Sequence, residues 1–89
     1  MISTKITKLA LLPAYDNEET IARVVMLAQK HVDEVVVVDD GSKDMTALIA
    51  ERVGARVLRH KRNLGKGAAF STGFRYAKRR GRFRCHVGQ

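Results

Sequence analysis

Three short polar clusters carry the residue types that could do chemistry. Pro13-Ala14-Tyr15-Asp16-Asn17-Glu18-Glu19 offers an aromatic ring and carboxylates. Asp39-Asp40-Gly41-Ser42-Lys43-Asp44 offers a carboxylate pair beside a glycine. Arg59-His60-Lys61-Arg62-Asn63-Leu64-Gly65-Lys66-Gly67 offers cations and two further glycines. Adjacent carboxylates repel and resist burial unless donors satisfy them. The hydroxyls of a ribose and the N–H of a base are suitable donors, and Gly41 would leave room for a ligand beside the backbone. The alternative for the pair is a turn that only caps a following helix. Gly65-Lys66-Gly67 suits an anion such as a diphosphate: it combines an ammonium, a pliable backbone and a helix N-terminus. The alternative is a solvated cationic loop. Neither the Gly-x-x-x-x-Gly-Lys-Ser/Thr phosphate loop nor Gly-x-Gly-x-x-Gly is present, because Phe70 stands where the third glycine of the latter belongs. Tyr15 either stacks on a flat base or covers the edge of a sheet. Glu18 either holds a ribose hydroxyl or is a first-turn acid favoured by the helix dipole. His31, His60 and His86 lack metal-ligand spacing and are read as non-functional.

The elements that must position these clusters alternate between strand and helix. Ile6 to Leu12 reads as a first strand closed by Pro13. Asp16 with Glu19 resembles a capping box, followed by Ile21, Val24, Val25 and Ala28 at the spacing of one buried helical face. Val35 to Val38 is too apolar for a strand with a wet side and suits a parallel sheet covered on both faces. A second helix is expected from an Asp44 N-cap to a stop at Gly54. Ala55 to Leu58 follows as a third strand. The third helix, from about Gly67 to Arg79, carries small residues, Ala69, Gly73 and Ala77, that would let it approach the sheet closely. The order β-α-β-α-β-α predicts a three-layer Rossmann-like α/β fold with a parallel sheet in the order 3-2-1 and right-handed crossovers. Ligands of such sheets bind beyond the carboxyl ends of the strands, where all three clusters fall.

Length and charge bound the possibilities. Eighty-nine residues make at most one small domain. One cysteine, Cys85, excludes an intrachain disulfide and a cysteine-based zinc cluster. No apolar run approaches the ~20 residues of a membrane span, and the start does not read as a signal peptide, so a cytoplasmic location is expected. The formal charge of +8 is unevenly spread: residues 1–51 hold 9 acids and 5 bases, whereas residues 52–89 hold 12 bases and no acid. An anionic partner is implied. A basic nucleotide- or nucleic-acid-binding module without catalysis is the alternative to an enzyme.

PAYDNEETI, VVVVDDGSKDMT and RNLGKGAAFSTGFRYA, in that order and spacing, resemble the N-terminal part of family-2 glycosyltransferases with the GT-A fold, the group that includes polyprenyl-phosphate mannosyl- and glucosyltransferases. The resemblance implies a nucleotide-diphospho-sugar site. Pro13, Ala14, Tyr15 and Glu18 would line the base and ribose. Val38 and Asp40 would hold the nucleoside with Asp39 in support, and Lys66 would lie near the diphosphate. The family often has one residue fewer between Tyr and Glu, which leaves Glu19 as an alternative to Glu18. The donor would be a UDP- or GDP-sugar and the acceptor a polyprenyl phosphate or a saccharide, with no nucleic acid involved. The full-length parent could be membrane-associated.

The family also implies Mg²⁺ or Mn²⁺ on an Asp-x-Asp after the next strand, and a later acid as base. No Asp or Glu follows Glu51 here. The expectation is therefore a partial GT-A domain over 1–81 and an irregular, aperiodic basic tail over 82–89, as a truncation or frame-shift would leave. Such a chain alone would bind no metal and transfer no sugar. Its first strand would be an exposed sheet edge through which copies could associate.

Overall fold

The computed structural model describes residues 7–80 and 83–87, and the side chains of 8–79. Ile6, expected to open the first strand, lies outside the described residues. The elements in chain order are β1 (Thr7–Ala14), α1 (Ile21–Gln29), β2 (Glu34–Asp39), α2 (Thr46–Arg52), β3 (Arg56–Arg59), α3 (Lys66–Arg80) and β4 (Phe83–Val87). All strand pairs are parallel and the sheet order is β3-β2-β1-β4.

Alternation along the strands divides the core in two. Ala10, Leu12, Ala14, Val35 and Val37 pack with Ile21 and Val25 of α1 and Ala50 of α2. Leu9, Leu11, Val36 and Val38 face Ala69 and Ala77 of α3. The four valines are all buried, Val36 to Val38 completely, because both sheet faces are covered.

Gly73 sets how near α3 can lie. A Cβ there would overlap the Leu11 side chain at its branch point and at both methyls. Leu11 is itself fully buried and cannot swing aside. Gly73→Ala gains about 1 kcal/mol of helix propensity but overpacks a core site at a typical cost of 1–3 kcal/mol. The expected outcome is a net loss of up to roughly 2 kcal/mol in denaturant unfolding, and raised stability would contradict it.

Several boundaries differ from the expectations. Pro13 lies inside β1. α1 begins at Ile21 after Thr20, which makes no side-chain cap, and the Asp16–Glu19 capping box does not form. Asp16 instead adopts a left-handed conformation, φ 49°. α2 starts after Asp44, whose Oδ1 accepts from the Thr46 N–H and hydroxyl. It ends as expected at Gly54: the Gly54 N–H donates to Glu51 O and the Ala55 N–H to Ala50 O, a Schellman pairing.

The irregular tail is a correction. Within 82–89, Phe83–Val87 forms β4 on β1, with Thr7 opposite Phe83 and Leu11 opposite Val87; residues 82, 88 and 89 lie outside the described residues. Phe83, Cys85 and Val87 alternate with Arg84 and His86, a period-two pattern beneath the arginine content. β1 is thus interior to the sheet. Its expected exposed edge is occupied by β4, which removes the basis for self-association through it. Among the described residues no helix is long and apolar enough to cross a membrane.

Candidate functional site

Register brings the three clusters together at one rim. Ala14 pairs with Asp39, and Asp39 with Arg59, so three strands end side by side. The ladder continues one residue further: the Asp40 N–H donates to Ala14 O at 2.8 Å, and the His60 N–H to Asp39 O at 2.9 Å.

Because successive side chains alternate across a sheet, the two adjacent carboxylates part company. Asp39 is fully buried; its Oδ2 accepts from the Ser42 N–H at 3.2 Å and lies 3.3 Å from Arg59 Nε. Its Oδ1 has no partner among the described residues. Asp40 turns toward the basic loop. Its Oδ1 accepts from the Leu64 N–H and from His60 Nδ1, and its Oδ2 from the Gly65 N–H, each at 2.8 Å.

Gly41 takes part in the same arrangement. At φ 79°, a Cβ on it would come within 2.5 Å of the Arg62 carbonyl carbon. On the side where a Cβ would project, the space beside Gly41 is filled by the backbone of Arg62 and Asn63.

The loop after β1 is tied to the loop after β2. Ser42 Oγ accepts from the Asp16 N–H, Asp16 Oδ1 from the Lys43 N–H, and Thr46 Oγ1 from the Asn17 N–H. Glu18 Oε1 accepts from the Met45 N–H at 2.9 Å, and the Glu18 N–H donates to Asp44. These bonds hold Asp16 in its left-handed conformation, which costs a non-glycine residue about 1–2 kcal/mol.

Between the first and third loops lies an open cavity of about 260 Å³ lined by Pro13, Ala14, Tyr15, Asn17, Asp40, Lys66 and Ala69. Five of the eight expected site residues meet there: Pro13, Ala14, Tyr15, Asp40 and Lys66. The other three do not line it. Glu18 anchors the start of α2, Val38 is core beneath α3, and Asp39 is committed to Ser42 and Arg59. Tyr15 is 43% exposed, so its ring is open to a ligand. Asn17 was not anticipated. Its Oδ1 accepts from the Tyr15 N–H, two residues earlier, at 2.7 Å. His60, read as non-functional, joins Asp40 to α3, with Nε2 2.7 Å from Thr72 Oγ1.

Burial pushes the Asp40 carboxyl up, but the His60 hydrogen bond and the Leu64 and Gly65 N–H groups outweigh it and hold the group below its ordinary value near 3.8. A carboxyl lowered in the folded state stabilises above its unfolded value and loses that contribution as pH falls through the folded value. The loop should therefore loosen below about pH 4, with the Leu64 and Gly65 amide resonances moving together and unfolding requiring less denaturant. Identical spectra and midpoints at pH 6 and pH 3 would contradict this.

The described residues do not form a metal site. They contain no group of three or more His, Cys, Asp and Glu side chains that could hold an ion. Asp40 already accepts three hydrogen bonds, and Asp39 lies against a guanidinium.

Comparison with known proteins supports the family and the fold. The family model described as glycosyl transferase family 2 matches residues 10–80. A UDP-N-acetylglucosamine–dolichyl-phosphate N-acetylglucosaminyltransferase of Methanococcus voltae is 32% identical over 85 residues, covering 75% of this chain and 34% of that protein. An uncharacterized protein of Methanocaldococcus jannaschii is 35% identical over 75 residues, covering 78% of this chain and 33% of that protein. Glucosyl-3-phosphoglycerate synthase of Mycobacterium tuberculosis, solved with Mn²⁺, UDP and glucosyl-3-phosphoglycerate, superposes with a TM-score of 0.64 at 35% identity. That match covers 72% of this chain and 27% of the synthase. The chain thus spans about a third of the length of these curated relatives and about a quarter of the synthase.

Proposed function

Since the chain belongs to glycosyl transferase family 2, we propose that its rim cavity receives the nucleoside diphosphate of a sugar donor, as the donor-binding part of an enzyme that transfers the sugar to an acceptor. The observation that carries this reading is the meeting of Tyr15, Asp40 and Lys66 around one cavity at the carboxyl ends of β1 and β2. Tyr15 supplies a face for the base. Lys66 opens α3, whose first turn contains no acid, so its ammonium and the helix N-terminus act together on a diphosphate. Asp40 works less as a direct ligand than as the anchor that brings the Lys66 loop to the cavity.

UDP is the nucleotide favoured for the donor, because both the dolichyl-phosphate enzyme and the synthase are named with uridine nucleotides. The dolichyl-phosphate relative likewise supports a lipid phosphate as acceptor, with the whole protein working at a membrane. Synthase structures hold Mn²⁺ or Mg²⁺ beside UDP, which supports a divalent metal for the family. The described residues contain no group of three His, Cys, Asp or Glu side chains that would fit one.

Titration of the chain with UDP, followed by amide shifts, tests the reading. Tyr15, Asp40, Lys66 and Ala69 should move as one set, more with UDP than with inorganic phosphate. Loss of base stacking costs about 1–3 kcal/mol, so Tyr15→Ala should weaken UDP about tenfold or more. Shifts scattered over the exposed cations, unaffected by Tyr15→Ala, would overturn the assignment.

A further inference from the structure

One buried side chain at the rim bridges a strand end and a helix without lining the cavity. His60 is nearly buried, with its side chain 10% exposed. Its Nδ1 lies 2.8 Å from Asp40 Oδ1 and its Nε2 2.7 Å from Thr72 Oγ1. An ionised carboxylate only accepts, so Nδ1 carries the hydrogen toward Asp40. In the neutral ring Nε2 then accepts from the Thr72 hydroxyl. One imidazole thus joins the end of β2 to the second turn of α3.

We infer that His60 is a positioning residue for nucleotide binding, bracketed by Thr72: it fixes the Asp40 carboxylate so that the Leu64 and Gly65 N–H groups, and with them Lys66, are held at the cavity. The inference rests on the nucleotide reading above and specifies how that site is kept formed. The chain of contacts is continuous. Thr72 orients the ring and the ring orients Asp40. Asp40 receives the two backbone N–H groups immediately before Lys66. A carboxylate lacking its side-chain donor can rotate about its Cα–Cβ and Cβ–Cγ bonds. The Leu64 and Gly65 donors would then lose the geometry that a 2.8 Å bond requires. A hydrogen bond to a charged group shifts a local equilibrium by about tenfold to a hundredfold, enough to decide the conformation of a short loop without deciding the fold.

Three variants, His60→Ala, His60→Asn and Thr72→Val, with two readouts, test the inference. Asn places an amide N–H where Nδ1 stands but cannot reach Thr72. In His60→Ala, exchange of the Leu64 and Gly65 amides should quicken about tenfold or more while β1 and β2 amides keep their protection. UDP affinity should fall by a similar factor. His60→Asn should restore most of both, and Thr72→Val should weaken UDP a few-fold. Exchange at Leu64 and Gly65 equal to the parent's, or quickened equally across the sheet, would overturn the inference. So would failure of His60→Asn to restore what His60→Ala lost. A parent chain with no UDP response would instead sink the nucleotide assignment, and the exchange pattern would still decide whether His60 holds the loop.

Discussion

Replacing Asp40 with alanine is expected to abolish measurable UDP binding and to lower stability by roughly 2–4 kcal/mol. The side chain is 7% exposed and accepts from His60, Leu64 and Gly65 at once. Removing it leaves three donors without their acceptor, two of them on the backbone just before Lys66. Water can reach part of this rim, so the cost stays below the sum of three charged hydrogen bonds, each about 1.5–3 kcal/mol. A domain typically holds 5–15 kcal/mol, so the sheet should survive while the loop does not. Asp40→Asn separates charge from shape. Its amide oxygen can still accept, but its NH₂ must then face one of the donors, so it should fall between alanine and the parent. Denaturant unfolding and UDP titration measure the two effects. Alanine at position 40 with parent-like affinity would show that the loop does not need its anchor.

Much of this architecture is legible in the residues themselves. Four consecutive valines dictate a strand buried on both faces, and small residues at 69, 73 and 77 dictate a close helix. The placing of all three polar clusters after strands follows from the β-α alternation. What could not be read is which polar groups satisfy one another. Asp39 and Asp40 part to opposite faces by strand alternation, but only the register shows Asp39 ending between Ala14 and Arg59. His60 looked isolated because its partners lie 20 residues before it and 12 after it. The capping box around Asp16 was a sound local pattern overridden by tertiary bonds to Ser42, Lys43 and Thr46. β4 was missed because arginine content hid a two-residue period.

Gly41 carries the second large effect. Gly41→Ala should lower stability by roughly 2–4 kcal/mol and weaken UDP at least tenfold. Two costs add. The backbone sits at φ 79°, where an L side chain is disfavoured by about 1–2 kcal/mol. The new Cβ also meets the Arg62 carbonyl carbon at 2.5 Å, and Arg62 Cα and the Asn63 nitrogen at 2.7 Å. Those are backbone atoms and cannot rotate away as a side-chain tip could. Ordinary carbon contacts lie near 3.5–4.0 Å, so the basic loop must retreat by about 1 Å. A retreat of that size stretches the 2.8 Å bonds from Leu64 and Gly65 to Asp40 past useful hydrogen-bond length. Gly54→Ala provides the matched control. That residue is also at positive φ, 103°, but a Cβ there would meet only the Gln29 side-chain amide, at 3.0 Å. Backbone strain alone should cost about 1–2 kcal/mol and leave UDP binding as it was. If the two variants lose equal stability and both keep their affinity, the approach of Arg62 to Gly41 does not shape the site.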